Sequence, residues 1–220
     1  MLTSTARSGR IEHMFHQGSL FGQLETDVDR GFDEAIRVDL DATTWVEHVP
    51  GWLAGSDRVL DELRERLPLC QRTGVRMFDR IVDEPRLSAW WCADTGGPEP
   101  LEILHDMRLL LADRYGEPFD SIGFNLYRHG DDSVAWHADR HRHVVTNPVI
   151  AIVSVGAPRP LRLRRRAGPS RGAPTPSRAW NLGNGDLFVM GGACQHDWEH
   201  TVPKVRRTTG PRLSITFRSM

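Results

Sequence analysis

His137 and Asp139 close the run Asn125-Leu126-Tyr127-Arg128-His129-Gly130-Asp131-Asp132-Ser133-Val134-Ala135-Trp136-His137-Ala138-Asp139 and are the residues of this chain best suited to chemistry. Residues two apart on a strand project from the same face, so this imidazole and this carboxylate can point into one cavity and share a cation. Together they make two-thirds of a facial triad for non-haem iron(II), a site that leaves coordination positions open for a cosubstrate and dioxygen. The third ligand must come from elsewhere in the chain. His196 and His200 both follow the Gly191-Gly192 turn and compete for that place.

Beyond Gly210-Pro211 the chain runs through Arg212-Leu213-Ser214-Ile215-Thr216-Phe217-Arg218. Arg212, Ser214, Thr216 and Arg218 face one way and Leu213, Ile215 and Phe217 the other, the period of a strand with an apolar face and a polar, cationic face. Arginines on the polar face can hold carboxylates bidentately, which suits a dicarboxylic cosubstrate better than lysine would.

Taken in order, several blocks resemble the AlkB family of iron(II)- and 2-oxoglutarate-dependent dioxygenases, which oxidatively dealkylate nucleobases. The blocks are Gln71-Arg72-Thr73-Gly74, Pro85-Arg86-Leu87-Ser88-Ala89-Trp90-Trp91, Asn125 to Asp139, Gly191-Gly192-Ala193 with Asp197-Trp198-Glu199-His200, and the closing strand. The resemblance spans roughly residues 70 to 218 and is closest to the branch acting on single-stranded DNA and RNA. It implies His137, Asp139 and His200 as the iron(II) ligands, with His200 preferred to His196 because Asp-Trp-Glu-His and Val-Pro-Lys match the family. The cosubstrates it implies are 2-oxoglutarate and dioxygen. Arg212 would pair with the distal carboxylate of 2-oxoglutarate, helped by Asn125 and Tyr127. Arg218 and Ser214 would support the other end of the cosubstrate and the metal ligands; many relatives carry asparagine where Ser214 stands.

A nucleotide-recognition lid is expected at about residues 71–98. Within it Trp90 and Trp91 are the aromatic candidates for stacking on the base, Trp91 being favoured by the family's aromatic position, and the His137 imidazole would close the opposite face. Trp136 and Trp198 read as packing residues. Relatives that act on N1-methyladenine and N3-methylcytosine commonly carry an acid two residues beyond the metal aspartate, where this chain has His141. The implied reaction couples decarboxylation of 2-oxoglutarate to succinate with hydroxylation of the alkyl carbon on a base nitrogen, followed by loss of an aldehyde. Its alternatives are an oxygenase acting on RNA or protein, or a nucleic-acid-binding module with a degenerate site.

The elements that must position these residues follow from periodicity and punctuation. Residues 1–31 read as a weakly ordered lead, with a strand at Ala35 to Leu40. Ser56 begins a helical pattern with Val59, Leu60, Leu63 and Leu67 on one face, ended by Pro68. Pro100 opens a second helix with an apolar stripe through Leu101, Leu104 and Leu111, stopped by Gly116 and Pro118. Short strands follow at Ser121–Arg128, Pro148–Val155, Leu161–Arg165, Asp186–Met190, Asp197–Val202 and Arg212–Arg218. Helices before an all-strand second half predict an α+β fold in which N-terminal helices pack on a double-stranded β-helix, a jelly roll. Residues 1–70 read as lead and helix of the same fold, and residues 71–220 as the dioxygenase domain.

With 220 residues, 39% hydrophobic and 26% charged, the chain suits one globular domain with no membrane span. The start lacks the apolar core of a secretory signal. Cys70, Cys92 and Cys194 are an odd, widely spaced set, which argues for free thiols in a reducing cytoplasm. A monomer is expected. The net charge of −1 offers no global field for a polyanion, so local patches must bind nucleic acid. The basic hairpin carrying Arg162, Arg164, Arg165, Arg166 and Arg171 is one candidate for holding phosphates.

Overall fold

The computed structural model describes residues 25–77, 80–139, 146–166, 176–206 and 209–220, with Met77 and Arg80 described by backbone alone. The elements before the first long helix are β1 (Asp27–Val28), β2 (Ile36–Asp39), β3 (Thr44–Val49) and β4 (Leu53–Ala54). Helix α1 (Ser56–Arg66) leads into β5 (Cys70–Gln71), β6 (Val75–Met77), β7 (Arg80–Val82) and β8 (Leu87–Cys92), and α2 (Glu102–Tyr115) follows. The strand-rich half comprises β9 (Ser121–Tyr127), β10 (Val134–His137), β11 (Ile150–Gly156), β12 (Arg159–Arg165), β13 (Ser177–Leu182) and β14 (Asp186–Gly192). A short helix α3 (Cys194–Asp197), β15 (Trp198–Val202) and β16 (Arg212–Arg218) complete it.

Two antiparallel sheets carry the architecture. The larger has eight strands in the order β2-β3-β14-β11-β16-β9-β8-β5 and the smaller has four in the order β10-β15-β12-β13. Sequence neighbours repeatedly land in different sheets, as the jelly-roll reading requires. Period-two alternation gives the large sheet two different faces. Leu213, Ile215 and Phe217 of β16 join Ile122 and Phe124 of β9 and Val153 of β11 in a core shared with Leu63 of α1 and Leu104, Met107 and Leu111 of α2. Each of these side chains is fully buried, which stabilises the fold by about 1.5–3 kcal/mol apiece. The opposite face packs Ile150, Ile152, Phe188 and Met190 against Leu161, Leu163 and Trp198 of the small sheet. Polar residues of β9 and β16 open between the sheets, so the site lies inside the sandwich.

Helix ends follow their punctuation. The chain leaves α1 at Leu67, just before Pro68, and leaves α2 at Gly116, whose φ of 69° is the left-handed cap that glycine adopts without a Cβ clash. Besides the short strands β1, β4, β5, β6 and β7, the longer strands β3 and β13 escape the sequence reading for physical reasons. β3 carries Glu47, a charge that breaks the apolar pattern, yet it is buried because Tyr115 Oη and Arg114 Nη2 donate to its Oε1 at 2.6 and 3.0 Å. β13 is a mostly exposed edge strand with only Leu182 fully inside, so it has little apolar periodicity to display. Val28 and Phe32 are also core residues, Phe32 lying 5.8 Å from Trp52, so packing begins within the stretch read as a loose lead and its flank.

One buried cation ties the loops around the site together. Arg159, 1% exposed, donates to the carbonyl of His129 at 3.1 Å and to those of Asp132 and Pro203 at 2.7 and 2.8 Å. It thereby fixes the turn after β9 and the exit of β15 while lying 5.5 Å from the Tyr127 ring. Arg159→Met should leave three carbonyls without this donor and lower the unfolding free energy by about 1–3 kcal/mol in a urea titration. An unchanged midpoint and slope would contradict that role.

Candidate active site

Antiparallel pairing of β10 with β15 puts His137 opposite His200, and Asp139 follows just past the end of β10. The two imidazole centroids are 4.2 Å apart, and His200 Nε2 lies 3.8 Å from Asp139 Oδ2. One ligand atom from each of the three residues falls within 4.8 Å of the others. The Nδ1 of His137 is 2.8 Å from the Ala135 carbonyl; with its proton donated there, Nε2 is left as the lone-pair nitrogen. Burial pushes His200 down to about 3, His137 and Arg218 push the same way and Asp139 opposes, so this imidazole stays in the neutral form that binds metal. Gln195 Oε1 accepts the Asp139 backbone N–H at 3.0 Å, and Arg218 Nη1 pairs with Asp139 Oδ1 at 2.9 Å. His196 sits on α3 with Nε2 3.0 Å from the Thr146 carbonyl and takes no part in the cluster.

The same cleft extends to Arg212. Pairing of β16 with β9 places Arg212 opposite Tyr127 and Ser214 opposite Asn125, so Asn125, Tyr127, Arg212, Ser214 and Arg218 all line it with the three metal-type ligands. Arg212 is 1% exposed. Its Nε donates to Ser154 Oγ at 3.0 Å, its guanidinium lies 5.3 Å from the Tyr127 ring, and its buried Nη1 has no hydrogen-bond partner among the described residues. Burial pushes this guanidinium down to about 10, with Arg159 adding to the effect and Tyr127 opposing it. Burial likewise pushes the Tyr127 phenol up, keeping its hydroxyl a proton donor. Asn125 Oδ1 accepts from Arg86 Nε at 2.9 Å, and the Ser214 and Thr216 hydroxyls are 3.5 Å apart. A buried cation with a spare donor calls for a carboxylate, and two imidazoles with one carboxylate suit iron(II); the residues present fit both groups.

A wider opening leads into the cleft past Pro68, Arg86, Trp90 and Gly123. Here the preference for Trp91 is corrected. Trp91 is 6% exposed, belongs to the helix-side core and donates its indole N–H to the Gly97 carbonyl at 3.1 Å. Trp90, its neighbour on β8, points the other way, is 45% exposed and lines the opening. His141 and Arg171 lie outside the described residues. Arg162, Arg165 and Arg166 are exposed on or just beyond β12, whereas Arg164 is engaged by Glu199 and stacks 4.2 Å from the Trp136 ring. Trp198 is a packing residue whose N–H donates to Asp41 at 3.0 Å.

Sequence reasoning gave no role to Arg86, Ser154 or Gln195. Arg86 stands in the Pro-Arg-Leu block; Ser154 and Gln195 carry no local signal, because only the tertiary fold brings Ser154 on β11 to Arg212 and Gln195 on α3 to Asp139.

The family model described as the 2OG-Fe(II) oxygenase superfamily matches residues 12–218. Human alpha-ketoglutarate-dependent dioxygenase alkB homolog 3 is 33% identical over 177 residues, covering 75% of this chain and 62% of that protein. Human DNA oxidative demethylase ALKBH2 is 30% identical over 187 residues, covering 76% of this chain and 69% of that protein. The chain thus spans under two-thirds of the length of the alkB homolog 3 relatives, 62% of the human and 64% of the bovine protein. A solved structure titled "The structure of OsALKBH1" superposes with a TM-score of 0.54 at 12% identity over 84% of this chain and all of that one, which speaks for the fold alone. No helix among the described residues is long and apolar enough to cross a membrane. On the family match over nearly the whole chain and the identity to AlkB-homologue relatives, with the ligand cluster and buried arginine in one cleft, this chain belongs to the AlkB family of the 2OG-Fe(II) oxygenase superfamily.

Proposed function

We propose that this protein is an iron(II)- and 2-oxoglutarate-dependent dioxygenase that removes alkyl groups from nucleobases, of the N1-methyladenine and N3-methylcytosine type, in single-stranded DNA, as part of alkylation repair. The observation that carries the reading is the single cleft holding His137, Asp139 and His200 at one end and the buried, under-satisfied Arg212 at the other. Relatives named as DNA oxidative demethylases support a nucleic-acid substrate.

Iron(II), when bound with 2-oxoglutarate and dioxygen, supplies the oxidising power for attack on a C–H bond. His137, Asp139 and His200 would hold the metal. Arg212 offers Nη1 to a carboxylate in a dry setting, where a charge-assisted bond is strongest, and Tyr127 and Asn125 border the same end. Arg218 balances the charge of Asp139 and keeps its Oδ1 oriented. The exposed indole of Trp90 gives a flat platform beside the metal ligands for a base removed from its stack. The three cysteines form no disulfide, in keeping with a reducing, cytoplasmic setting, and the protein works as a monomer on this reading.

A mass-spectrometric screen of methylated oligonucleotides with iron(II), ascorbate and 2-oxoglutarate tests the reading; succinate release without aldehyde from any methylated base would move it to another substrate class. His200→Ala should abolish metal binding in calorimetric titrations with manganese(II), while His196→Ala should retain it, and the reverse would exchange the two roles. Arg212→Lys should raise the 2-oxoglutarate concentration for half-saturation by the equivalent of about 1.5–3 kcal/mol, leaving oligonucleotide binding intact. An unaltered half-saturation point would take Arg212 out of the cosubstrate pocket. With a net charge of −1 the protein has little electrostatic surplus for opening a duplex, so single-stranded lesions should turn over faster than the same lesions in duplex. Faster turnover of duplex would reject the strand preference.

A further inference from the structure

Trp90 and Gly123 are paired across β8 and β9. A Cβ built on Gly123 would lie 2.7 Å from Cζ3 and 3.1 Å from Cε3 of Trp90, and 3.4 Å from Nη2 of Arg218. The six-membered ring of the indole therefore rests on bare backbone. The Arg218 guanidinium lies 4.8 Å from the indole centroid while its Nη1 holds Asp139. Trp90, Gly123 and Arg218 together line the opening that leads to His137 and Asp139.

We propose that Gly123 sets the depth of the base pocket and thereby admits purine as well as pyrimidine lesions. The proposal rests on the reading that this opening receives a nucleobase. For either base the alkyl group on the ring nitrogen must reach the ligand cluster, so the second ring of a purine lies further out, across the Trp90 platform. A side chain at position 123 meets a rigid aromatic ring, which cannot yield by a small torsion as a flexible chain end would. The outer ring of the indole must tilt off β9 into the slot, and the larger base loses its room first.

The test uses the full chain in four forms: wild type, Gly123→Ala, Trp90→Phe and the double variant. Fluorescence anisotropy reads binding of a labelled single-stranded oligonucleotide carrying one 1-methyladenine, one carrying 3-methylcytosine, and an unmethylated control. Gly123→Ala should weaken binding of the 1-methyladenine strand by about tenfold and of the 3-methylcytosine strand by less than about threefold, the scale of one methyl group in a tight pocket. Phenylalanine lacks the outer ring that meets residue 123, so alanine there should cost nothing further in the Trp90→Phe background. Equal losses for the two strands, or an undiminished loss in the double variant, would overturn the proposal. Wild-type protein that binds neither methylated strand better than the control would instead remove the nucleobase reading. In that event the seating is read from Trp90 emission, taken as the difference between each form and its Trp90→Phe counterpart. That emission shifts on Gly123→Ala if the indole rests on residue 123, and its constancy would overturn the claim.

Discussion

Everything at this site depends on the antiparallel register of β10 and β15. His137 and His200 are far apart in the chain, yet pairing sets their rings 4.2 Å apart and leaves Asp139 at the strand end to complete the cluster. The ladder is irregular between Val134 and His137, and a one-residue slip of β10 would turn His137 away from His200, because successive strand residues point to opposite faces. Several contacts pin the register: Thr201 Oγ1 donates to the Val134 carbonyl, Gln195 holds the Asp139 backbone, and Arg159 anchors the turns on either side. Precision in the ligand set thus comes from a ladder of main-chain bonds with polar side chains at its ends.

Charge is distributed with the same economy. Arg212 and Arg159 are both buried near Tyr127, an arrangement whose desolvation cost is large unless each guanidinium is satisfied. Arg159 gives Nη1 and Nη2 to three carbonyls and leaves its Nε without a hydrogen-bond partner among the described residues, whereas Arg212 bonds Ser154 through Nε and keeps a buried Nη1 without one. The difference separates a cation that holds the fold from one poised for a ligand. Arg218 links the two regions of the site, since it pairs with Asp139 and lies under Trp90.

The sequence made some of this legible and hid the rest for physical reasons. The closing strand could be read residue by residue, because its helix-side face is apolar and its cleft-side face polar without exception. Helix ends were marked by Pro68 and Gly116. His200 could be told from His196 through family resemblance and through a spacing from Arg212 that allows a turn and return; the structure separates them because α3 turns His196 outward. β3 was hidden by Glu47, whose burial depends on Arg114 and Tyr115 from a helix distant in the chain. The choice between Trp90 and Trp91 turned on strand phase, which neighbouring residues do not fix until β8 is paired with β9. Gly123 gave no signal at all, as a glycine in a strand speaks only once its neighbour is known.

The central claim is that one cleft couples cosubstrate oxidation to attack on an alkylated base. The most direct measurement is the ratio of aldehyde to succinate released from a single-stranded 1-methyladenine oligonucleotide in the presence of iron(II) and 2-oxoglutarate. The account predicts iron-dependent release of the two products in nearly equal amounts; succinate formed at the same rate with or without the methyl group, and no aldehyde, would contradict it.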